Sequence, residues 1–203
     1  MAYLIELHSL SVGYESRIVL TDIDFAVREN DFIGVIGPNG GGKTTLLKVI
    51  LGLLKPIKGT IVFNENLLKR NKIGYLPQMS AGDNSFPVTV LDVVLSGLMI
   101  NKSAVARINS EDKKKAENVI SELGLREIRK SPLNELSGGQ LQRVFLGRAI
   151  IGSPALLLLD EPDNFVDATF ENDFYEKLHD LNERMAILMV SHDVGTISSH
   201  VKS

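Results

Sequence analysis

The chain has 203 residues, 44% hydrophobic and 23% charged, with 22 Lys and Arg against 25 Asp and Glu for a net charge of −3. That length supports one compact domain over 1–203, and the slightly acidic balance lacks the broad basic surface used to bind nucleic acid, so no nucleic-acid partner is expected. Cysteine is absent, which rules out disulfides, thiolate metal ligands and cysteine nucleophiles.

In chain order, the N-terminus Met1-Ala2-Tyr3-Leu4-Ile5-Glu6 has no basic segment leading into an apolar one. No apolar run approaches the roughly 20 residues of a bilayer span, so a cytoplasmic location with at most a peripheral membrane role is expected. From Tyr3 to Val27 short segments alternate apolar and polar residues, as in Ile23-Asp24-Phe25-Ala26-Val27, the pattern of half-buried strands. Phe32-Ile33-Gly34-Val35-Ile36 is a nearly continuous apolar run and reads as a parallel strand covered on both faces. A helix is expected from Lys43 to near Gly52, then strands at Ile61-Val62-Phe63 and Ile73-Gly74-Tyr75-Leu76.

The middle of the chain turns helical. Thr89 is placed to cap a helix running through Leu98, and Ser110-Glu111-Asp112 starts another, with Ala116, Val119, Ile120 and Leu123 on one face and Gly124 as its stop. The triplet Lys113-Lys114-Lys115 is neutralised by Glu111, Asp112 and Glu117 and reads as a solvated helix face. Short apolar strands return at 155–159 and 186–190, separated by a helix in which Phe170, Phe174, Leu178 and Leu181 share a face. Strands alternating with helices predict an α/β core.

Chemistry concentrates at two places. Gly37-Pro38-Asn39-Gly40-Gly41-Gly42-Lys43-Thr44 follows the apolar strand and opens a helix. Such a loop turns backbone N–H groups and a helix N-terminus onto phosphate oxygens, with Lys43 reaching the β- and γ-phosphates and Thr44 ligating Mg²⁺. Leu156-Leu157-Leu158-Leu159-Asp160-Glu161 is a buried strand ending in two carboxylates. Asp160 is expected on the magnesium side and Glu161 beside the attacking water.

With these two elements, Leu136-Ser137-Gly138-Gly139-Gln140 resembles the signature of the ATP-binding cassette family, and the motifs follow the family's order along essentially the whole chain. The resemblance implies a P-loop NTPase fold: an α/β, RecA-like core, an N-terminal antiparallel β subdomain and a helical insert at approximately 79–152 that carries the signature. It implies ATP and Mg²⁺ as ligands. ATP would sit on Gly37, Pro38, Asn39, Gly40, Gly41, Gly42, Lys43, Thr44 and Thr45 of one chain and under Ser137, Gly138, Gly139 and Gln140 of another. Tyr14 resembles the aromatic that stacks on adenine, Gln78 the glutamine that senses Mg²⁺ and the attacking water, His192 the histidine on the γ-phosphate, and Asp167 an aspartate that contacts the opposite subunit. Metal contacts would come from Thr44, Gln78 and Asp160, and catalysis from Glu161, His192, Gln78 and Lys43.

On pattern alone Tyr14 is equally a strand aromatic, Gln78 a turn residue after Pro77, and Ser137 a helix cap. Asp163 stands where the family usually has threonine, and Phe165-Val166-Asp167 replaces its frequent small-residue-Leu-Asp. The sequence ends at Ser203, before a C-terminal segment that many members carry.

The resemblance implies an ATPase, working as a homodimer or paralogous heterodimer, that powers a membrane transporter. The Gly-Pro-Asn-Gly-Gly-Gly-Lys loop and Phe86-Pro87-Val88-Thr89-Val90-Leu91-Asp92-Val93-Val94 are similar to the zinc, manganese or iron importer branch. Permease subunits would dock near 79–100, at the inner face of the cell membrane, and this chain would not touch the transported substrate. The alternative is a soluble ATPase of the same family acting in assembly, as in iron–sulfur assembly. A kinase or GTPase is disfavoured by the lack of an Asn-Lys-x-Asp element.

Overall fold

The computed structural model describes residues 3–15, 17–64, 73–78, 88–99, 107–162 and 168–192, and for 168–171 the backbone alone. Asp163, Phe165, Asp167, residues 79–87 of the expected docking region and the side chain of Phe170 lie outside that description. Strands β1 (Tyr3–Tyr14), β2 (Arg17–Arg28) and β4 (Lys58–Phe63) form an antiparallel sheet in the order β2-β1-β4. Strands β3 (Phe32–Ile36), β5 (Ile73–Leu76), β6 (Leu156–Asp160) and β7 (Ala186–Ser191) form a parallel sheet in the order β3-β7-β6-β5.

The antiparallel sheet follows the expected alternation in β1, with one correction of phase. In the parallel sheet β6 and β7 are buried along their whole length, as their continuous apolar runs required, whereas β3, at the sheet edge, is covered only in part, with Ile36 42% exposed. In β1 Leu4 and Ser11 are buried as well, but the most deeply buried residues are Ile5 and Leu7, then Leu10 and Val12, a change from odd to even positions. An irregularity in the β1–β2 register between Leu7 and Leu10, with Ser9 at φ 44°, inserts the extra residue that keeps both pairs on the core face.

The parallel sheet is the central layer. Leu156 and Leu158 of β6 pack with Leu47 and Ile50 of helix α1 (Lys43–Ile50) and with Leu7 of β1. Leu157 and Leu159 face the other way, into a core shared with helices α2 (Val90–Met99), α3 (Ser110–Glu122), α4 (Gly138–Ile150) and α5 (Ala168–Asn182). Period-2 alternation in a strand buried on both faces therefore splits its leucines between two cores. Each fully buried leucine contributes about 1.5–3 kcal/mol relative to exposure.

The helix boundaries have local causes. Gly52, at φ 71°, ends the α1 region. Thr89 Oγ1 accepts from the backbone N–H of Asp92 at 3.3 Å, and Asp92 Oδ2 accepts from that of Thr89 at 3.1 Å. The cap of α3 is Asn109, one residue before the expected start, and it forms a reciprocal capping box with Asp112. Ala116, Ile120 and Leu123 are buried as their spacing requires, and Gly124 stops the helix at φ 70°. Phe174, Leu178 and Leu181 form the buried face of α5.

Candidate nucleotide site

The C-terminal ends of four parallel strands converge on one edge of the sheet: β3 runs into the glycine loop, β5 into Pro77-Gln78, β6 into Glu161 and β7 into His192. That edge is where open parallel sheets bind ligands. A cleft of about 730 Å³ opens there, lined by Tyr14, Arg17, the glycine loop, Gln78 and Glu161, among others.

The loop is set by glycine. Gly40 and Gly42 take φ of 78° and 91°, and the Gly41 N–H donates to the Pro38 carbonyl at 3.0 Å. Helix α1 has Gly42 as its N-cap, so no side chain caps it, and there is no acidic residue in its first turn. Its N-terminal dipole therefore faces the loop with no acidic side chain of the helix itself against it, a fit for an anionic ligand.

Lys43 is 7% exposed, and its ammonium donates to the carbonyls of Gly37 at 2.8 Å and Pro38 at 3.1 Å. The same ammonium lies 3.3 Å from Glu161 Oε1. Glu161 Oε2 accepts from Gln78 Nε2 at 2.9 Å and lies 3.6 Å from His192 Nδ1. One carboxylate thus gathers three of the expected side chains. Its backbone is strained: Glu161 has φ 46°, in the left-handed region that suits glycine, at a cost on the order of 1–3 kcal/mol.

Asp160 is 1% exposed. Thr44 donates to its Oδ1 at 3.0 Å and the Tyr75 hydroxyl to its Oδ2 at 3.2 Å. Burial pushes the Asp160 carboxyl above its ordinary range, and the neighbouring Glu161 charge adds to that; the two hydrogen bonds and Lys43 pull it back. Burial, with the Asp160 charge and hydrogen bond, raises the Tyr75 hydroxyl to about 12. Thr44 and Asp160 together present the hard oxygen donors that Mg²⁺ selects, so the residues fit that ion.

Tyr14 borders the cleft at 43% exposure, with the Lys48 ammonium 5.8 Å from its ring centroid. The residues from Ser137 to Gln140 do not line this cleft. They open α4 instead: Ser137 Oγ accepts from the Gln140 N–H at 3.3 Å, and Gln140 Oε1 accepts from the Ser137 N–H at 3.0 Å. Again the first turn contains no acidic residue.

Tyr75 and Arg17 are site residues that the sequence reading missed. Tyr75 shows in sequence only as an aromatic within a short strand; its reach to Asp160 depends on β5 lying beside β6. Arg17 had a weak signal, three residues after Tyr14 at the start of the next strand.

A family model described as "ABC transporter" matches residues 20–164. The chain belongs to the ABC transporter family. It is an ATP-binding subunit with ATPase activity, built on the P-loop NTPase fold. Among its relatives, the zinc uptake system ATP-binding protein ZurA of Listeria innocua is 40% identical, over 99% of this chain and 81% of that protein. The zinc transport system ATP-binding protein TroB of Treponema pallidum is 39% identical, over 98% of this chain and 76% of its own length. A solved structure described as a metal-chelate type ABC transporter in an inward-facing conformation superposes with a TM-score of 0.88 at 29% identity, covering 99% of this chain and 77% of that one. Among the described residues, no helix of this ABC subunit is long and apolar enough to cross a membrane.

Proposed function

We propose that this chain pairs with a second copy or a close paralogue, binds two ATP molecules between the two chains, and drives a permease that imports a metal ion. The observation that carries the dimer reading is the division of the motifs: Lys43, Thr44 and Glu161 line one cleft, whereas Ser137 to Gln140 start a helix outside its lining. A signature that faces the cleft then comes from another chain. The metal cargo is supported by the relatives, which are named as zinc uptake and zinc transport subunits, and these favour transport over the assembly-factor alternative.

In this reading residues 37–45 cradle the phosphates, Lys43 reaches the β- and γ-phosphates, and Tyr14 stacks on adenine. Thr44 and Asp160, with Gln78, would hold Mg²⁺, which neutralises phosphate charge. Glu161 accepts the proton of the attacking water, oriented by Gln78, while His192 contacts the γ-phosphate. Ser137, with the first-turn N–H groups at Gly138 and Gly139, meets the γ-phosphate held by the opposite chain, where charge develops during transfer. The chain acts as one unit over 1–203 with a helical subdomain at approximately 79–152. It sits on the inner face of the membrane, meets the permease near 79–100, and never touches the cargo.

Glu161→Gln tests the dimer. With saturating ATP it is expected to form a stable dimer by light scattering, and persistence of the monomer refutes the shared site. Recovery of the tagged chain with a polytopic membrane protein, and a growth defect under metal limitation on deletion, test the transport reading.

A further inference from the structure

Gln142 lies two residues past Gln140, on α4, and is 2% exposed. Its Nε2 donates to the Pro162 carbonyl at 2.5 Å, a bond between groups 20 residues apart in sequence. A carbonyl only accepts, so the amide orientation is fixed. Gln142 Oε1 is buried and has no hydrogen-bond partner among the described residues.

Leaving a buried acceptor unsatisfied disfavours folding, and a hydrophobic side chain of the same length would avoid it. What the amide does achieve is control of backbone. Glu161 stands at φ 46° immediately before Pro162, a backbone state that persists only where its surroundings over-determine it. Two bonds bracket that residue: its own N–H donates to the Val190 carbonyl at 2.9 Å, and the carbonyl of the next residue is held by Gln142. One bracket comes from the sheet. The other comes from the helix that begins at Ser137.

We propose that Gln142 is a positioning residue for Glu161: through the Pro162 carbonyl it ties the carboxylate of one nucleotide site to the helix whose first turn serves the other. The inference rests on the assignment of Glu161 above. It makes α4 a rigid link between the two sites a chain contributes to, so displacement of the helix start shifts the Glu161 backbone by the same bond.

Gln142→Met keeps the length and apolar volume of the side chain and removes the donor. In the full-length chain, turnover at saturating ATP is expected to fall about 10- to 100-fold, the scale of a misplaced base. KM and the equilibrium affinity for ATP stay within about twofold, and the melting midpoint stays within about 4 °C. The variant is then combined with Glu161→Gln. If Gln142 acts through Glu161, the double variant turns over no more slowly than Glu161→Gln alone; a full multiplicative loss overturns the proposal. Unchanged turnover in Gln142→Met, or a fall matched by equal loss of ATP affinity, also overturns it. Gln142→Asn, which withdraws the amide by one methylene, carries the same cycle if the Met variant does not fold. Failure of the site assignment looks different: there Glu161→Gln alone leaves turnover intact.

Discussion

The Tyr75 hydroxyl donates to Asp160 Oδ2 at 3.2 Å, while Thr44 holds the other oxygen, Oδ1, at 3.0 Å. The aspartate is thus clamped from β5 on one side and from α1 on the other. Tyr75→Phe removes one clamp and one bond that favours the ionised carboxylate. Turnover is expected to fall about 10-fold or more, with the Mg²⁺ concentration for half-maximal rate rising by a similar factor, since a hydrogen bond to a charged group contributes about 1.5–3 kcal/mol and about 1.4 kcal/mol is a factor of ten. Titration of ATPase rate against Mg²⁺ checks this, and a wild-type Mg²⁺ dependence defeats it.

The raised pKa of Asp160 has a defined sign for stability. Folding holds its proton more tightly than the unfolded chain does, so this group favours the folded state below its ordinary value of 3.8 and loses that contribution as pH rises through the folded-state value. Ionised Asp160 is therefore a cost to the nucleotide-free protein near neutrality. Asp160→Asn is expected to raise the melting temperature at pH 7.5 and to lose that advantage as pH falls toward 4, while ATPase activity is abolished. Scanning calorimetry across that range decides it.

Glu161→Gln removes the carboxylate 3.3 Å from the Lys43 ammonium. Both side chains are largely buried, at 6% and 11% exposure, so the attraction is poorly screened and competes with phosphate for the same ammonium. The variant is expected to bind ATP several-fold more tightly while losing at least about 100-fold in turnover. Equilibrium binding of labelled ATP separates the two effects; weaker binding runs against the competition argument.

Glycines of the loop differ in what they tolerate. A Cβ at Gly42 would lie 2.7 Å from Leu20 Cδ2 and 3.0 Å from Val19 Cγ1, whereas one at Gly40 meets nothing within 4 Å; both have positive φ. Gly42→Ala is expected to destabilise by about 1–3 kcal/mol, with ATP affinity falling as the loop shifts. Gly40→Ala should cost about 1 kcal/mol from backbone strain alone. Chemical denaturation of the two variants side by side tests the ordering.

Between helices the constraint is tighter. A Cβ at Gly97 of α2 would stand 2.1 Å from the Arg148 carbonyl of α4, so Gly97→Ala must push the two backbones apart. Destabilisation of about 2–3 kcal/mol is expected, with the ATP affinity of the folded fraction retained because α2 does not line the cleft. Thermal melts with and without ATP read both quantities.

Much of this protein was written in local order. The loop of 37–44, the carboxylates at the end of an apolar strand and the Ser137 cap each depend on neighbours within a few residues, so spacing and residue type sufficed to find them. Helix starts at Lys43 and Gly138 and the stop at Gly124 follow from the same short-range rules. Tyr75 and Gln142 gave no comparable signal, because their partners stand 85 and 20 residues away and are brought near by strand order and helix packing. Tertiary structure also decided that Leu156 and Leu157 enter different cores, and that one carboxylate, Glu161, collects Lys43, Gln78 and His192. Sequence specifies the chemistry each short segment is able to perform; the stacking of β5, β6 and β7 specifies which of those groups meet, since contacts across a sheet depend on register and order rather than on distance along the chain.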